Sequence, residues 1–205
     1  ALIQLAPLLF LGGLGSGGNL SSFLCGLRGG ELSSLRWQQV ELDNMRLFVR
    51  TASRLEEDDD GRTTIVIGPA KTEKAERYVA LPPDIVAELR AWRIRSPYSS
   101  DDDFVCPKPN GKIQYSTQNW NKYVLTPACK AAGVERITWH YTRHVFASVM
   151  LDTFGDDWGK IADRMGHESV EFTRKTYGHW IEPEQQETKN EAEKIGSRFK
   201  FKLSA

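Results

Sequence analysis

Acid–base side chains crowd into one short stretch of this chain. All 4 histidines lie between His140 and His179, in the motifs His-Tyr-Thr-Arg-His, Gly-His and Tyr-Gly-His. If a helix opens near Thr138, the first motif places His140, Arg143 and His144 on one face. An arginine fork binds two phosphate oxygens, and a histidine beside it can carry a proton near neutral pH. Such a cluster is typical of a site where a phosphate reacts.

Two other interpretations of this cluster stay open on spacing alone. A single His-x-x-Arg also occurs in ordinary surface or core clusters. His140 and His144 have a spacing that suits zinc, but the sequence has no His-Glu-x-x-His and no Cys-x-x-Cys motif, and the nearest cysteine is Cys129. We therefore predict neither a metal nor a cofactor.

The order of these motifs resembles that of the tyrosine recombinases, most of all the phage-type integrases. In that family a His-x-x-Arg-His precedes a Gly-His and then a tyrosine, as here at His167 and Tyr177. The family also has a Gly-Leu-Arg-x-x-Glu-Leu motif and a Lys-Thr-x-x-x-x-Arg hairpin, and this chain carries them at Arg28 and at Lys71. The resemblance covers residues 20–182 and implies a catalytic domain.

The resemblance also implies a reaction and a set of residues that perform it. Tyr177 is expected to attack a DNA phosphodiester and form a 3′-phosphotyrosine bond, while His140 takes its proton and Lys71 protonates the departing 5′-oxygen. The other catalytic residues are expected to hold the non-bridging oxygens, without a metal or cofactor. The implied catalytic set is Arg28, Lys71, His140, Arg143, His167 and Tyr177, and the supporting set is Glu31, His144 and His179.

The partner that the resemblance implies is double-stranded DNA with attachment sites. A tetramer of protomers is expected to act on it in the cytoplasm of a bacterial host, with accessory DNA-bending or directionality proteins. A type IB-like topoisomerase uses the same chemistry and stays an alternative. A non-catalytic DNA-binding module and a metal hydrolase are the alternatives from other classes, in which Tyr177 is an ordinary aromatic residue and Lys71 a solvated turn residue.

The overall composition is that of an ordinary globular protein, with 40% hydrophobic and 26% charged residues, which excludes a disordered or fibrous chain. The formal net charge is zero, which weighs against DNA binding because phosphates attract an excess of lysine and arginine. Acidic residues are concentrated at 56–60 and 101–103, beside turn residues, so we expect them on loops. Cys25, Cys106 and Cys129 form neither a metal spacing nor an even disulfide set, which favours a reducing compartment.

The chain divides into three predicted parts. Residues 1–18 carry an apolar run that is broken by glycine, has no basic start and is too short to span a bilayer, so we predict no membrane segment. Residues 19–182 are predicted to form the catalytic domain. Residues 183–205 form a charged tail, which in the resembled family commonly docks on a neighbouring subunit, although a self-packed tail fits the sequence as well.

The predicted fold class is α+β. We expect a mostly helical domain with a small three-stranded antiparallel sheet in its N-terminal third. The runs at 47–50, 63–67 and 77–81 are rich in β-branched and aromatic residues and are predicted as its strands. An acidic loop at 54–62 then precedes the second strand, and the turn with Lys71 joins the second strand to the third.

Helices are predicted to position the remaining site residues. One begins near Gly30 with Arg28 at its entry, and two more occupy 82–95 and 116–132, where Pro127 divides the second.

The helix with the first histidine cluster should turn Val145, Val149 and Phe146 toward the core. Asp156–Asp157 and Ser169 are expected to cap two shorter helices, the last of which carries Tyr177.

Overall fold

The computed structural model describes residues 25–70, 75–112, 117–133 and 135–178. Lys71, His179 and the predicted segments 1–18 and 183–205 lie outside the described residues, so the domain boundaries stay predictions. In the described part of the chain, no helix is long and apolar enough to cross a membrane.

The described chain opens on the motif that carries Arg28. Helix α1 (Gly29–Ser34) begins directly after this residue, which is its N-cap, as predicted. A single 3₁₀ turn, Trp37–Gln39, follows. Leu32 and Trp37 are both buried, so the apolar side of this segment faces the core and its polar entry faces the site.

Five strands form two separate antiparallel layers in the described chain. Strands β1 (Val40–Glu41), β2 (Arg46–Val49) and β5 (Arg77–Ala80) make a three-stranded sheet in the order β1-β2-β5. Strands β3 (Thr51–Glu57) and β4 (Thr63–Pro69) make a hairpin of their own. The α+β class with a small three-stranded antiparallel sheet is confirmed.

The predicted membership of that sheet is wrong in one respect. The strand predicted at 63–67 pairs with residues 51–57, which include half of the predicted acidic loop, in a register that sets Leu55 opposite Ile65. Both faces of this hairpin are largely exposed, so its charged side chains stay in water. Pairing satisfies their backbone groups, and the β-branched residues of β4 favour the extended conformation. Only the acidic turn at 58–61 remains a loop.

Helices make up much of the remaining described chain. Their N-caps in the C-terminal half are the predicted ones, since the side chains of Thr138, Asp157 and Ser169 each accept a backbone N–H bond of the helix that follows. The bounds are α2 (Pro83–Arg95), α3 (Thr117–Trp120), α4 (Thr126–Ala132), α5 (Trp139–Phe154), α6 (Trp158–Met165) and α7 (Val170–Tyr177).

A π-helical turn, Asn121–Leu125, joins α3 to α4 immediately before Pro127. The backbone N–H of Thr126 donates to the carbonyl of Asn121, one residue further back than in an α-helix. Proline cannot donate and its ring collides with the carbonyl four residues earlier, so the wider turn removes the conflict. The backbone stays helical without a break from Thr117 to Ala132, so the predicted division is not seen and Pro127 instead accompanies a change in the hydrogen bonding of one turn.

The larger apolar core lies between the three-stranded sheet, the helices α1 to α3, the π-helical turn and the start of α5. Two indole rings meet in it, Trp120 and Trp139, with centroids 5.4 Å apart. Their N–H groups are both satisfied inside the protein: Trp120 donates to Ser33 Oγ at 2.8 Å and Trp139 to the Leu27 carbonyl at 3.3 Å. These bonds join the two tryptophans to the segment that carries Arg28.

A second, smaller core lies among α5, α6 and α7. The predicted inward stripe on α5 is wrong for Val149, which is 48% exposed, and for Val145, which is only half-buried, whereas Phe146 is buried as predicted. The buried face lies next to it and contains Arg143, because residues three, four and eight positions on share its side of the helix. The members of this cluster are Phe146, Ala147, Leu151, Ile161, Met165 and Tyr177.

The bond between Trp120 and Ser33 gives a test of the larger core. Ser33→Ala leaves a buried indole N–H without this acceptor, and we expect the free energy of unfolding to fall by about 1 to 3 kcal/mol. The control is Ser148→Ala, whose hydroxyl bonds only to the carbonyl of His144 in its own helix, and which should change stability by less than about 0.5 kcal/mol. Urea unfolding of both variants checks this, and equal losses would contradict it.

Candidate active site

A buried carboxylate, that of Glu31, binds two guanidinium groups. Arg28 donates to it twice, from its backbone N–H to Oε2 at 2.7 Å and from Nη1 to Oε1 at 2.9 Å. Arg77 comes from β5 and binds both oxygens as a fork, Nη1 to Oε1 at 3.1 Å and Nη2 to Oε2 at 3.0 Å. Each carboxylate oxygen therefore accepts one bond from each arginine, which fixes the plane of the group.

The electrostatics of Glu31 follow from this arrangement. Burial alone would raise the pKa of this carboxyl, because its side chain is only 2% exposed. The charges and hydrogen bonds of Arg77 and Arg28 outweigh burial and lower the pKa from 4.5 to about 2. Glu31 is therefore ionised at neutral pH and compensates part of the positive charge in the site.

Three arginines from distant parts of the chain bind the C-terminal end of α6. Arg77 donates to the carbonyl of Arg164 at 3.2 Å, Arg143 to that of Met165 at 2.9 Å and Arg28 to that of Gly166 at 2.6 Å. The last carbonyls of a helix have no partner within it and carry partial negative charge. The end of α6 thus serves as a common acceptor for the guanidinium groups and holds them beside the residue that follows.

That residue is His167, and its hydrogen bonds define its tautomer. Its Nε2 lies 3.2 Å from Arg143 Nη2, and a guanidinium can only donate, so Nε2 accepts. The proton is then on Nδ1, which donates to Thr173 Oγ1 at 2.8 Å, and the Thr173 hydroxyl in turn donates a hydrogen bond to the Ser169 carbonyl at 3.2 Å. Burial, followed by the charge of Arg143, lowers the pKa of His167 to about 3, so the ring is neutral at pH 7.

Tyr177 is enclosed by imidazole rings in the smaller core. Its residue is 2% exposed, and its ring lies parallel to that of His167 with centroids 6.0 Å apart. His144 meets it edge-on at 5.5 Å, and His140 meets His144 in the same way at 4.6 Å. Burial raises the pKa of the Tyr177 hydroxyl above 10, against the opposing charges of Arg143 and Arg28. In this state the hydroxyl is therefore protonated and enclosed.

A cleft of about 620 Å³ opens beside this cluster. Arg28 and Glu31 line one side of it, and His167 and Phe172 line the other. The Arg28 side chain is 42% exposed, whereas Arg143 is buried. An anion that enters the cleft therefore meets Arg28 first. Burial, with the charge of Arg28, lowers the pKa of Arg143 to about 10, which still leaves it charged at neutral pH.

Most of the predicted site residues come together in this region, although they lie far apart in the sequence. Contacts link Arg28, Glu31, Arg143, His144, His167 and Tyr177 into one cluster. His140 is exposed at the start of α5 and reaches the cluster through the ring of His144. Lys71 and His179 lie outside the described residues, and their roles stay predictions.

Two residues of the cluster were not predicted as site residues. In the sequence, Arg77 stands out only as the end of the lysine motif, although it shares the inward face of β5 with the buried Val79. A charged residue on the inward face of a strand needs a buried partner, and that signal could have identified it. Thr173 precedes Tyr177 by one helical turn, so a shared helix face was its only signal.

A metal site was weighed on the spacing of His140 and His144. Among residues 25–70, 75–112, 117–133 and 135–178, no group of three or more histidine, cysteine, aspartate or glutamate side chains is arranged to hold a metal ion. The interpretation of these histidines as zinc ligands therefore gains no support from the geometry.

The lowered pKa of Glu31 predicts acid sensitivity. A carboxyl with a folded-state pKa of about 2 and an unfolded value of 4.5 stabilises the fold fully above pH 4.5. This stabilisation, of about 3 kcal/mol, is lost as the pH falls from 4.5 toward 2. Carboxyl ¹³C shifts followed from pH 6 to pH 2 should show Glu31 still ionised at pH 3. A midpoint at 4.5 or above would contradict the buried pair with Arg77.

The bend between α6 and α7 gives a second test. Gly166 has a φ of +63°, and a Cβ there would lie 2.6 Å from Arg77 Nη1. Gly166→Ala adds both backbone strain and this overlap, so we expect a loss of about 2 to 4 kcal/mol. The matched control is Gly133→Ala, with a φ of +66° and open space around the position, which should lose only about 1 to 2 kcal/mol. Thermal unfolding of both variants checks the difference.

Comparison with known sequences identifies the family of this chain. A sequence model of the phage integrase family matches residues 22–182. The chain is 29% identical over 182 residues to the prophage integrase IntR of Escherichia coli (strain K12), with 77% of this chain and 41% of the relative covered. It is 25% identical over 171 residues to the ICEBs1 integrase of Bacillus subtilis (strain 168), with 81% and 45% covered. The chain thus spans less than half the length of these relatives.

Solved structures support the same fold. The Tn1549 transposon integrase, in complex with circular intermediate DNA, superposes with a TM-score of 0.67 at 19% identity, covering 95% of this chain and 66% of that one. The XerA recombinase superposes with a TM-score of 0.62 at 22% identity, covering 88% and 62%. Because the family match extends over most of the chain and the fold agrees with it, this chain belongs to the phage integrase family.

Proposed function

We propose that this chain is the catalytic part of a site-specific DNA recombinase that cleaves and rejoins strands through a 3′-phosphotyrosine intermediate. The observation that carries the proposal is the convergence of Arg28, Arg143, His167 and Tyr177 beside one cleft. Fixed cations, a neutral imidazole and a phenol are the groups that phosphoryl transfer to tyrosine requires. Relatives of this fold have been solved in complex with DNA.

The cleavage step forms one bond, breaks another and transfers two protons. The Tyr177 oxygen bonds to phosphorus and the bond from phosphorus to the 5′-oxygen breaks. His140 accepts the phenol proton, and Lys71 supplies a proton to the departing oxygen. Attack by a 5′-hydroxyl on the phosphotyrosine reverses the step, so the energy of the broken bond is kept and no nucleotide cofactor is consumed.

Charge in the transition state grows on the non-bridging oxygens, and Arg28 and Arg143 stabilise it. Arg28 has the exposed donors and binds the phosphate first. A phosphate oxygen that takes over the Arg143 N–H releases His167 Nε2 from its present bond. Beside the negative phosphate, Nε2 can then bind a proton from solvent and donate a hydrogen bond to a phosphate oxygen. Glu31 and His144 orient these groups, and His179 is assigned a supporting role next to the nucleophile.

Tyr177 must leave its enclosed position before it can attack. Its hydroxyl has a raised pKa and its ring is packed against His167 and His144. Movement toward the exposed start of α5 brings the phenol oxygen to His140, where its proton can be accepted as the bond to phosphorus forms. DNA binding is the event that makes this movement favourable in our proposal.

The wider assignment follows from the same proposal. The substrate is double-stranded DNA with attachment sites, and recombination between two duplexes requires a tetramer of protomers, assisted by accessory DNA-bending or directionality proteins. The protein acts on DNA in the cytoplasm of a bacterial host. Since the chain spans less than half of its curated relatives, the sequence-reading contacts of the whole protein are assigned to the part outside this chain.

The proposal is tested by trapping the covalent intermediate. The chain, and the natural polypeptide that contains it, are mixed in chelator with a nicked duplex that carries the attachment site of the element encoding it. A protein–DNA adduct is expected on a denaturing gel, and Tyr177→Phe should abolish it because the nucleophile is lost. The matched control is Tyr141→Phe, an exposed tyrosine at the start of α5, which should keep the adduct.

The outcomes separate the alternatives. An adduct that survives Tyr177→Phe would overturn the choice of nucleophile, and the absence of any adduct from both proteins would overturn the catalytic assignment in favour of a DNA-binding module. An adduct that forms only without chelator would contradict the metal-independent mechanism. Relaxation of plasmids without exchange between sites would identify a topoisomerase instead.

A further inference from the structure

Arg77 is a buried arginine that the proposed mechanism does not use. It lies on β5 with a side chain that is 6% exposed, and it donates to two carbonyls in addition to Glu31: that of Ala75 at 3.0 Å and that of Arg164 at 3.2 Å. These partners lie in three different parts of the chain. Such a set of contacts fixes a side chain far more tightly than surface ion pairs do.

We infer that Arg77 is a positioning residue for strand cleavage, which holds the Glu31 carboxylate in the orientation that aims Arg28 into the cleft. The inference rests on the proposed function, in which Arg28 is the first group to bind the scissile phosphate. Arg77 itself does not touch the phosphate in this scheme, because its fork is directed at Glu31 and its side chain is almost fully enclosed.

The geometry shows how the effect reaches Arg28. Oε1 of Glu31 accepts from Arg77 and Arg28 side chains, and Oε2 accepts from Arg77 and the Arg28 backbone. If Arg77 loses its fork, both oxygens keep only their bonds to Arg28, and nothing in this network opposes rotation of the carboxylate toward Arg28. The guanidinium of Arg28 then follows the carboxylate inward, away from the cleft that its exposed donors now face.

The same side chain also positions the acceptor that Arg28 uses on α6. Arg77 binds the Arg164 carbonyl, and Arg28 binds that of Gly166, two residues further along the same helix end. Both contacts of Arg28, to Glu31 and to Gly166, therefore depend on a group that Arg77 holds. A lysine at position 77 keeps the charge, but its three N–H donors share one nitrogen and lack the planar fork, so it cannot match the two carboxylate oxygens and the helix end at once.

The experiment measures single-turnover adduct formation by Arg77→Lys in the natural polypeptide. We expect a rate about 10- to 100-fold below that of the unchanged protein, because small displacements of a clamping group reduce rates by this order. The matched control is Arg46→Lys on the adjacent strand, where Arg46 forms an exposed pair with Glu41 at 2.7 Å. This control should react at the unchanged rate.

A combination of variants separates positioning from stability. If Arg77 acts through Arg28, Arg77→Lys should slow the unchanged protein but cause no further loss in an Arg28→Ala background. A substrate with sulfur at the 5′-bridging position keeps such slow variants measurable, because a thiolate departs readily. If Arg77→Lys lowers the rate of adduct formation by the same factor in the unchanged protein and in Arg28→Ala, the role of Arg77 is merely structural and the inference is overturned.

The sulfur substrate also tests whether Arg77 acts through Lys71 and the leaving group instead of through Arg28. Arg77 binds the Ala75 carbonyl, which follows the segment with Lys71, and sulfur removes the need for a proton on the leaving group. The loss from Arg77→Lys should be the same on both substrates. If the sulfur substrate restores the rate of adduct formation by Arg77→Lys, Arg77 acts through Lys71, and the inference that it acts through Arg28 is overturned.

The two proposals fail in different ways. If the unchanged polypeptide forms no adduct, the proposed function fails. If it forms an adduct and Arg77→Lys reacts as fast as Arg46→Lys, only the inference about Arg77 fails. The pKa of Glu31, followed by ¹³C shifts, gives a readout that needs no DNA: it should rise in Arg77→Lys and stay unchanged in Arg46→Lys, and an unchanged value in both variants would overturn the inference.

Discussion

The buried carboxylate of Glu31 is the constraint on which the rest of this site depends. Three guanidinium groups, those of Arg28, Arg77 and Arg143, meet in a region largely removed from water, and such a concentration of like charge is unfavourable unless it is compensated. Glu31 compensates two of them directly: the Arg77 guanidinium binds both of its oxygens, and the Arg28 guanidinium binds Oε1 while the Arg28 backbone N–H binds Oε2. The carboxylate is held so firmly in its ionised form that its pKa falls to about 2 despite burial.

The end of helix α6 supplies the remaining compensation. Its last carbonyls face the same three arginines, so a helix terminus that would otherwise lack partners becomes part of the site. Because this helix ends at a left-handed glycine, the chain turns sharply and places His167 directly beside Arg143. The same structural arrangement therefore compensates the charges, ends the helix and places a candidate catalytic ring. A change in one of these three features is expected to alter the other two.

The nucleophile of the proposed mechanism belongs to the smaller hydrophobic core. Tyr177 packs with aliphatic residues of α5 and α6, so the contacts that stabilise this part of the fold also enclose its hydroxyl. In the proposed mechanism, a phenol that is buried and has a raised pKa is not reactive in this position. In the proposed mechanism, reactivity requires the tyrosine to exchange these contacts for contacts with its substrate, which links cleavage to binding.

The motifs alone predicted Arg28, Arg143, His167 and Tyr177 as site residues, because transfer of a phosphoryl group needs these side-chain types and the family spacing marks their places. The structure brings the four together, and their catalytic roles stay predictions. The helix N-caps at Thr138, Asp157 and Ser169 were also predictable, since a cap depends only on residues within one turn of it. Three features were not, namely the separate β3–β4 hairpin, the exposure of Val149 and the buried fork of Arg77. The last two depend on which distant segment packs against the residue, and local propensity carries no information about that partner. The hairpin pairs neighbouring runs, but the charged residues of β3 gave it the composition of a loop. The sequence by itself therefore determined the chemistry and the local elements, whereas the tertiary structure decided how one carboxylate and one helix end hold the charged groups together.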